Sequence, residues 1–313
     1  MKKKLLILFL CFISFAGLQA QTITWTGAVN DLYNNPNNWN PAQVPTAAND
    51  VIIPTGSTMI INVAASVKSI KVQGTSTVTI NNNLQFTHAS SFSSNTTVYW
   101  NNSSLYGGGT LTNNGTVNLT TAGSRYISGP TTINNNGLFT MPAGGYLYLY
   151  DTSVFNNTVS GTFDLQSDAR ISYDGNTHNF FNAGLFKKTG GMGSSNIYVV
   201  FTNTGTISVE SGTIDMYYFP KYFNGGVYNV SSGAVLEVST TGMNVSGTLT
   251  GTLDGPLNWT GNFSVASTAT FDFTGNTGVT WTAGSLLGGG NLTNESNISL
   301  VGAGSRYISG ATT

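Results

Sequence analysis

The chain reads as all-β, wound as a right-handed parallel β-helix behind an amino-terminal cap, and three observations predict this. Residues 98–132 return at residues 279–313 with 21 identities in 35 positions and no gap, so Trp100 matches Trp281 and Arg125 matches Arg306. A shorter step recurs inside that interval. Segments entered at Leu111, Ile133, Phe155, Phe181, Phe201, Phe223 and Val245 each run through an apolar residue, a polar corner containing glycine and a short alternating strand. Finally, no window has helical periodicity, whereas strand patterns such as Tyr146–Tyr150, Ile207–Val209 and Phe271–Phe273 occur throughout. A step of roughly 22 residues belongs to stacked-repeat architectures. Tandem β-sandwich modules are the alternative, since they also use short strands and frequent turns, but they give no reason for that step.

Residues 1–20 have Lys2, Lys3 and Lys4, an apolar run from Leu5 to Phe15 and a small-residue boundary at Ala20, the pattern of a secretory signal peptide. The apolar run is too short for a membrane anchor, and no transmembrane segment follows. Cys11, the one cysteine, lies within this run. Cleavage at Ala20 would leave neither disulfides nor thiolate metal sites. It would also leave 8 basic against 12 acidic side chains in a chain with only 7% charged residues. The cations are scattered, which argues against nucleic acid as a partner. The expected localisation is secreted or cell-surface.

Residues 21–73 form the expected cap. They hold Trp25, Trp39 and four of the eight prolines, Pro36, Pro41, Pro45 and Pro54, and a compact cap would cover an otherwise open β edge. Residues 74–254 are the first long unit, and residues 255–313 begin a second that breaks off at Thr313, as in the front part of a longer repeat protein. From Leu111 onward the coils would stack into about nine layers, on the order of 40 Å at strand spacing. In each coil Asn113, Asn135, Asn203 and Asn224 suit the corner and can bond one another in a ladder. Gly115, Gly137, Gly184, Gly205 and Gly226 are expected to supply positive φ there.

The run Trp25-Thr26-Gly27, Asn38-Trp39, Val44-Pro45 and Asp50 to Pro54 resembles the start of secreted repeat proteins of the type IX secretion cargo class. Their bodies are similar to parallel β-helices of the pectin-lyase-like and adhesin kind. The resemblance implies a secreted or surface-attached protein, with attachment through a carboxy-terminal region beyond Thr313. It implies adhesion or polysaccharide degradation without choosing between them.

Chemistry-bearing residues fall in two places. Tyr146, Tyr148 and Tyr150 alternate with Leu147 and Leu149, so the tyrosines would face outward and offer flat rings and hydroxyls to polysaccharide or cell-surface glycans. Tyr173, Tyr198, Tyr217 and Tyr218 would extend the row. The densest ionisable set is Asp151, Asp164, Asp168, Arg170, Asp174 and His178. Paired carboxylates there could serve a polysaccharide lyase or glycoside hydrolase, with Asp164, Asp168 and Asp174 as candidate catalytic residues, or could hold calcium. No metal-ligand motif is present and no cofactor is required. In the repeated GSRYISG, Arg125 is expected to lay its stem over Tyr126 and Arg306 over Tyr307. The leading expectation is a structural or adhesive solenoid rather than an enzyme. A passive spacer for a domain beyond residue 313 is a further alternative.

Overall fold

A computed structural model describes residues 21–174, 178–240 and 242–309. The signal-peptide reading of residues 1–20 lies outside the described residues, as does the end of the second GSRYISG. Among those described, the one helical element is a 3-10 turn at Pro36–Asn38. The remainder is a parallel β-helix of about twelve turns with three strands in each. One face is a 12-stranded sheet running from Ala65–Val67 to Ile298–Leu300. The other two faces join into a 24-stranded sheet, because Lys221–Val230, Met243–Thr252 and Phe263–Thr274 each run unbroken around a corner. Thr22–Trp25 pairs antiparallel with Trp39–Asn40, and among the described residues every other strand pairing is parallel, which excludes tandem sandwiches.

The turns begin well before Leu111. Val51 lies opposite Ile70 and Leu111 opposite Ile133, and the first of these pairs is the closer in sequence. The early turns are shorter and lack the Asn-Gly corner, so an alignment on that corner does not find them. Phe180, not Phe181, faces the core opposite Phe155 and Phe201, while Phe181 is turned outward and is 41% exposed.

In-register stacking puts like side chains on top of one another. Phe155, Phe180 and Phe201 stack with centroids 4.7 and 5.2 Å apart. A second column, Phe139, Phe163 and Phe186, stacks at 5.3 and 5.4 Å. The columns meet edge to face, as at Phe155 and Phe163 (5.3 Å, 85°), a favoured aromatic geometry. At the corner beside them runs a buried asparagine ladder. Each Nδ2 donates to the next Oδ1, from Asn113 to Asn135, Asn157, Asn182 and Asn203, at 2.8, 2.8, 2.8 and 2.6 Å. Asn224 is not a rung; it lies outside the core and accepts from the Ser246 hydroxyl.

The corner glycines have a different cause from the one expected. Gly115, Gly137, Gly184 and Gly205 do not have positive φ, and only Gly226 of the five does (98°). A side chain is excluded because a carbonyl of the preceding turn crosses the position: a Cβ on Gly137 would lie 2.2 Å from the Gly115 oxygen, and one on Gly205 2.3 Å from the Gly184 oxygen.

At the amino-terminal end Trp25 and Tyr33 pack edge-on against Trp39 at 4.8 and 5.3 Å. Asn38, fully buried, ties the intervening loop: its Oδ1 accepts from the Val29 and Asn30 amides, and its Nδ2 donates to Asn30 and to the Leu32 carbonyl. This cluster covers the first turn through the parallel pairing of Thr22–Thr24 with Asp50–Ile52.

The long repeat has an unexpected phase. Trp100 lies in the 24-stranded sheet and Trp281 in the 12-stranded sheet. Ser124–Ser128 lies in the 12-stranded sheet, and Arg306–Ile308 in the 24-stranded one. The long repeat therefore spans a whole number of turns plus one further face. Local geometry survives the shift: Arg125 Nε donates to the Trp100 carbonyl at 3.2 Å, and Arg306 Nε to the Trp281 carbonyl at 2.9 Å.

Candidate functional site

Alternation in Tyr146–Tyr150 sends Leu147 and Leu149 fully into the core and leaves three tyrosines on the outer face of the 12-stranded sheet. Tyr126, one turn earlier, is in register with Tyr148, and their rings stack at 5.2 Å and 14°. Tyr146 stacks on Tyr148 at 5.4 Å and 18°, and Tyr150 stands edge-on to Tyr126 at 5.4 Å. The next turn supplies a charge at each end of this aromatic sheet. Arg170 lies over the Tyr146 ring at 5.8 Å, and Asp174, opposite Tyr150, accepts a hydrogen bond from its hydroxyl. That bond, with burial and the carboxylate charge, pushes the Tyr150 phenol up to about 12. Burial, followed by the neighbouring tyrosines, also raises Tyr148. The Tyr148 and Tyr150 hydroxyls thus stay protonated; that of Tyr150 is already donated to Asp174 and leaves its oxygen as an acceptor.

Tyr173, Tyr198, Tyr217 and Tyr218 do not extend this row. Tyr173 lies on a strand of the 12-stranded sheet but in register with core-facing Leu149, and it stacks on His178 at 4.7 Å and packs edge-on against Phe219 at 4.6 Å. Tyr198 meets Tyr217 at 5.1 Å. Tyr218 adopts φ of 67° and is 53% exposed.

The aspartates picked from sequence face different places. Asp164, buried on a strand of the 24-stranded sheet, accepts from Thr189 at 2.8 Å and Gln166 at 3.1 Å and pairs with Lys187 at 3.8 Å. Asp168, in the following corner, binds Lys188 at 2.8 Å and the Gly193 amide at 3.0 Å. The Lys188 hydrogen bond is the main cause that holds its carboxyl below the usual range. Asp174 stands at the end of its strand with Tyr150. Asp151 lies beside it, its amide donating to the Asp174 carbonyl at 3.1 Å.

A carboxylate pair that sequence reasoning passed over lies further along the tyrosine face. Asp215 and Glu237 are register partners on adjacent turns. Burial raises both carboxyls; hydrogen bonds from Ser239 and Asn196 oppose this at Asp215, and bonds from Asn258 and Thr260 oppose it at Glu237. Register pairing of this kind places the two backbones one strand spacing apart, about 4.8 Å, with both acids on the same face. The signal was present: TIDM and VLEV, one turn apart, each carry the acid third. Among the described residues no group of three or more His, Cys, Asp or Glu is placed to hold a metal, and no helix is long and apolar enough to cross a membrane.

Most of the remaining cations are structural. Arg125 does not lie over Tyr126: the two alternate, and Arg125 points inward beside Ile127, fully buried. Its guanidinium binds the carbonyls of Trp100, Gly123 and Thr121. Lys188 takes the carbonyls of Ser167 and Gly190, and buried Lys221 takes those of Val199, Tyr217 and Phe219. A corner leaves carbonyls without strand partners, and a cation inside it satisfies several at once.

The match to known families is confined to the front of this structure. A family model described as a domain of unknown function, DUF8693, matches residues 24–129. No curated protein and no solved structure matches the chain. The matched stretch takes in the cap, the first turns and Tyr126, and stops before Tyr146 and the Asp215–Glu237 pair.

Proposed function

We propose that the protein is an exported structural or adhesive solenoid that holds glycans against the outer face of its 12-stranded sheet. The observation that carries this reading is the aromatic sheet of Tyr126, Tyr146, Tyr148 and Tyr150, flanked by Arg170 and Asp174. Stacked tyrosines fixed on strands offer an apolar platform for the flat faces of sugar rings, and the hydroxyls, Arg170 and Asp174 can bond their rims. The signal-peptide pattern and the resemblance to type IX secretion cargo support export. The test is retention of the chain on immobilised polysaccharides with Tyr148→Ala as the comparison: binding that drops severalfold in the variant supports the reading. Absence of binding, or retention unchanged by the substitution, defeats it.

A second reading, polysaccharide cleavage, is favoured by Asp215 and Glu237. Both carboxyls are raised and lie on the same face as the tyrosines, and perturbed acids on a binding face are candidates for acid–base work. Asp164 and Asp168 fit that role less well because lysines already engage them.

A further inference from the structure

A cleft opens at the first turns on strands of the 24-stranded sheet, whereas the tyrosines lie on the 12-stranded one. It has a volume of about 380 Å³, and its lining includes Thr22, Asp50, Lys68, Ser69, Lys71 and His88. These residues converge through the first turns. Asp50 is in register with Ser69, and Ile52 with Lys71, while the Lys68 carbonyl accepts from the His88 amide one turn on. We propose that this cleft binds a sugar acid, free or as a residue of an acidic polysaccharide.

The argument starts from where the chain places its positive charge. Arg125, Lys188, Lys221 and Arg306 are committed to carbonyls, Lys187 is paired with Asp164, and Arg170 lies over Tyr146. Among the described residues Lys71 is the one lysine or arginine with no such partner, and it is exposed at the cleft. The charge beside it is nearly balanced. Asp50 accepts from the Ser69 hydroxyl at 2.6 Å and pairs with Lys68 at 3.4 Å, each partner of that pair about one-third exposed. The cleft therefore carries one unmatched positive charge, suited to a monoanionic carboxylate; a dianion would meet the Asp50 charge without a second free cation. Asp50 retains acceptor capacity beyond its two bonds, and His88, with Nδ1 on the Thr87 hydroxyl, has Nε2 available. These groups bind hydroxyls. A ligand carrying one carboxylate and several hydroxyls satisfies the set, and the volume lies at the small end of the range for small-molecule sites.

The experiment is titration of the purified chain with D-glucuronate, with oligogalacturonate and with D-glucose, followed by NMR shifts or calorimetry. Glucuronate or oligogalacturonate should saturate a site, glucose should not, and added salt should weaken the binding. Lys71→Ala should lower the affinity at least tenfold with the circular dichroism unchanged, and the shifts caused by glucuronate should fall on Ser69, Lys71 and His88 and not on Tyr146 or Tyr148, which separates this site from the tyrosine face. Binding of the monomer as tight as that of the oligomer would identify the free sugar acid as ligand, and markedly tighter oligomer binding the polymer. Saturation by glucose as strong as by glucuronate, lack of saturation by either acid, or equal affinity in Lys71→Ala would overturn the proposal.

Discussion

The Asn203 amide donates to the Tyr228 hydroxyl at 3.0 Å, and that hydroxyl donates in turn to the Gly225 carbonyl at 3.0 Å. Tyr228 thus ends a ladder that begins five rungs earlier at Asn113. Both groups are fully buried, so a vacancy cannot be filled by bulk water. Tyr228→Phe should lower stability by about 1–3 kcal/mol, the cost of a buried polar group left unpaired. Asn157→Ala, which strips a partner from the rung on either side, should cost more. Urea unfolding midpoints check the order.

At the same corner Gly205→Ala should destabilise by roughly 1–3 kcal/mol, since the new methyl would overlap the Gly184 carbonyl and force the backbone apart. Gly144→Ala is the control. Nothing lies within 4 Å of its added Cβ, and thermal unfolding should change little.

Lys221 should make stability depend on pH. Burial pushes its ammonium down to about 7 from an ordinary 10.5, with the Asp215 charge acting the other way. Between those values the unfolded chain holds the proton and the folded chain does not, so stability should rise with pH across the window, by at most roughly 1.4 kcal/mol per unit. The gain is complete above 10.5, shrinks as pH falls across the window and is gone once pH has dropped below about 7. Three carbonyl acceptors favour the ammonium and will flatten the slope. Denaturation at pH 7, 8 and 9 should show the rise in the native chain, and Lys221→Met should remove it.

If the sheet face cleaves polysaccharide, Asp215→Asn and Glu237→Gln should each lower product release by at least a hundredfold. Asp164→Asn should not, because that carboxylate is held by Thr189, Gln166 and Lys187. Reducing-end or unsaturated-product assays on a polysaccharide panel distinguish the two.

What the sequence disclosed follows from what repeats. The short step, the strand alternation and the asparagine corner are periodic, and the coil and its ladder could be read from them. Tyr146, Tyr148 and Tyr150 share a strand, so their common face was legible too. Asp215 and Glu237 lie a full turn apart along the chain, and their meeting depends on register, which two alternating strands suggest only when laid side by side. The inward place of Arg125 is readable from its strand: alternation puts it on the same face as Ile127, and a charge in that position has to find carbonyls. The cause of the corner glycines is not legible in a linear chain, because the carbonyl that excludes a side chain belongs to the neighbouring turn.

The phase of the long repeat bears on how such a rod meets its surroundings. Tyr126 and Tyr307 occupy matching places in their copies but belong to different sheets. Flat substrates can touch one of them at a time. If the tyrosine face holds glycans as proposed, polymers arriving from two directions would each meet one copy, an arrangement that would favour tying neighbours together over lying along a single surface.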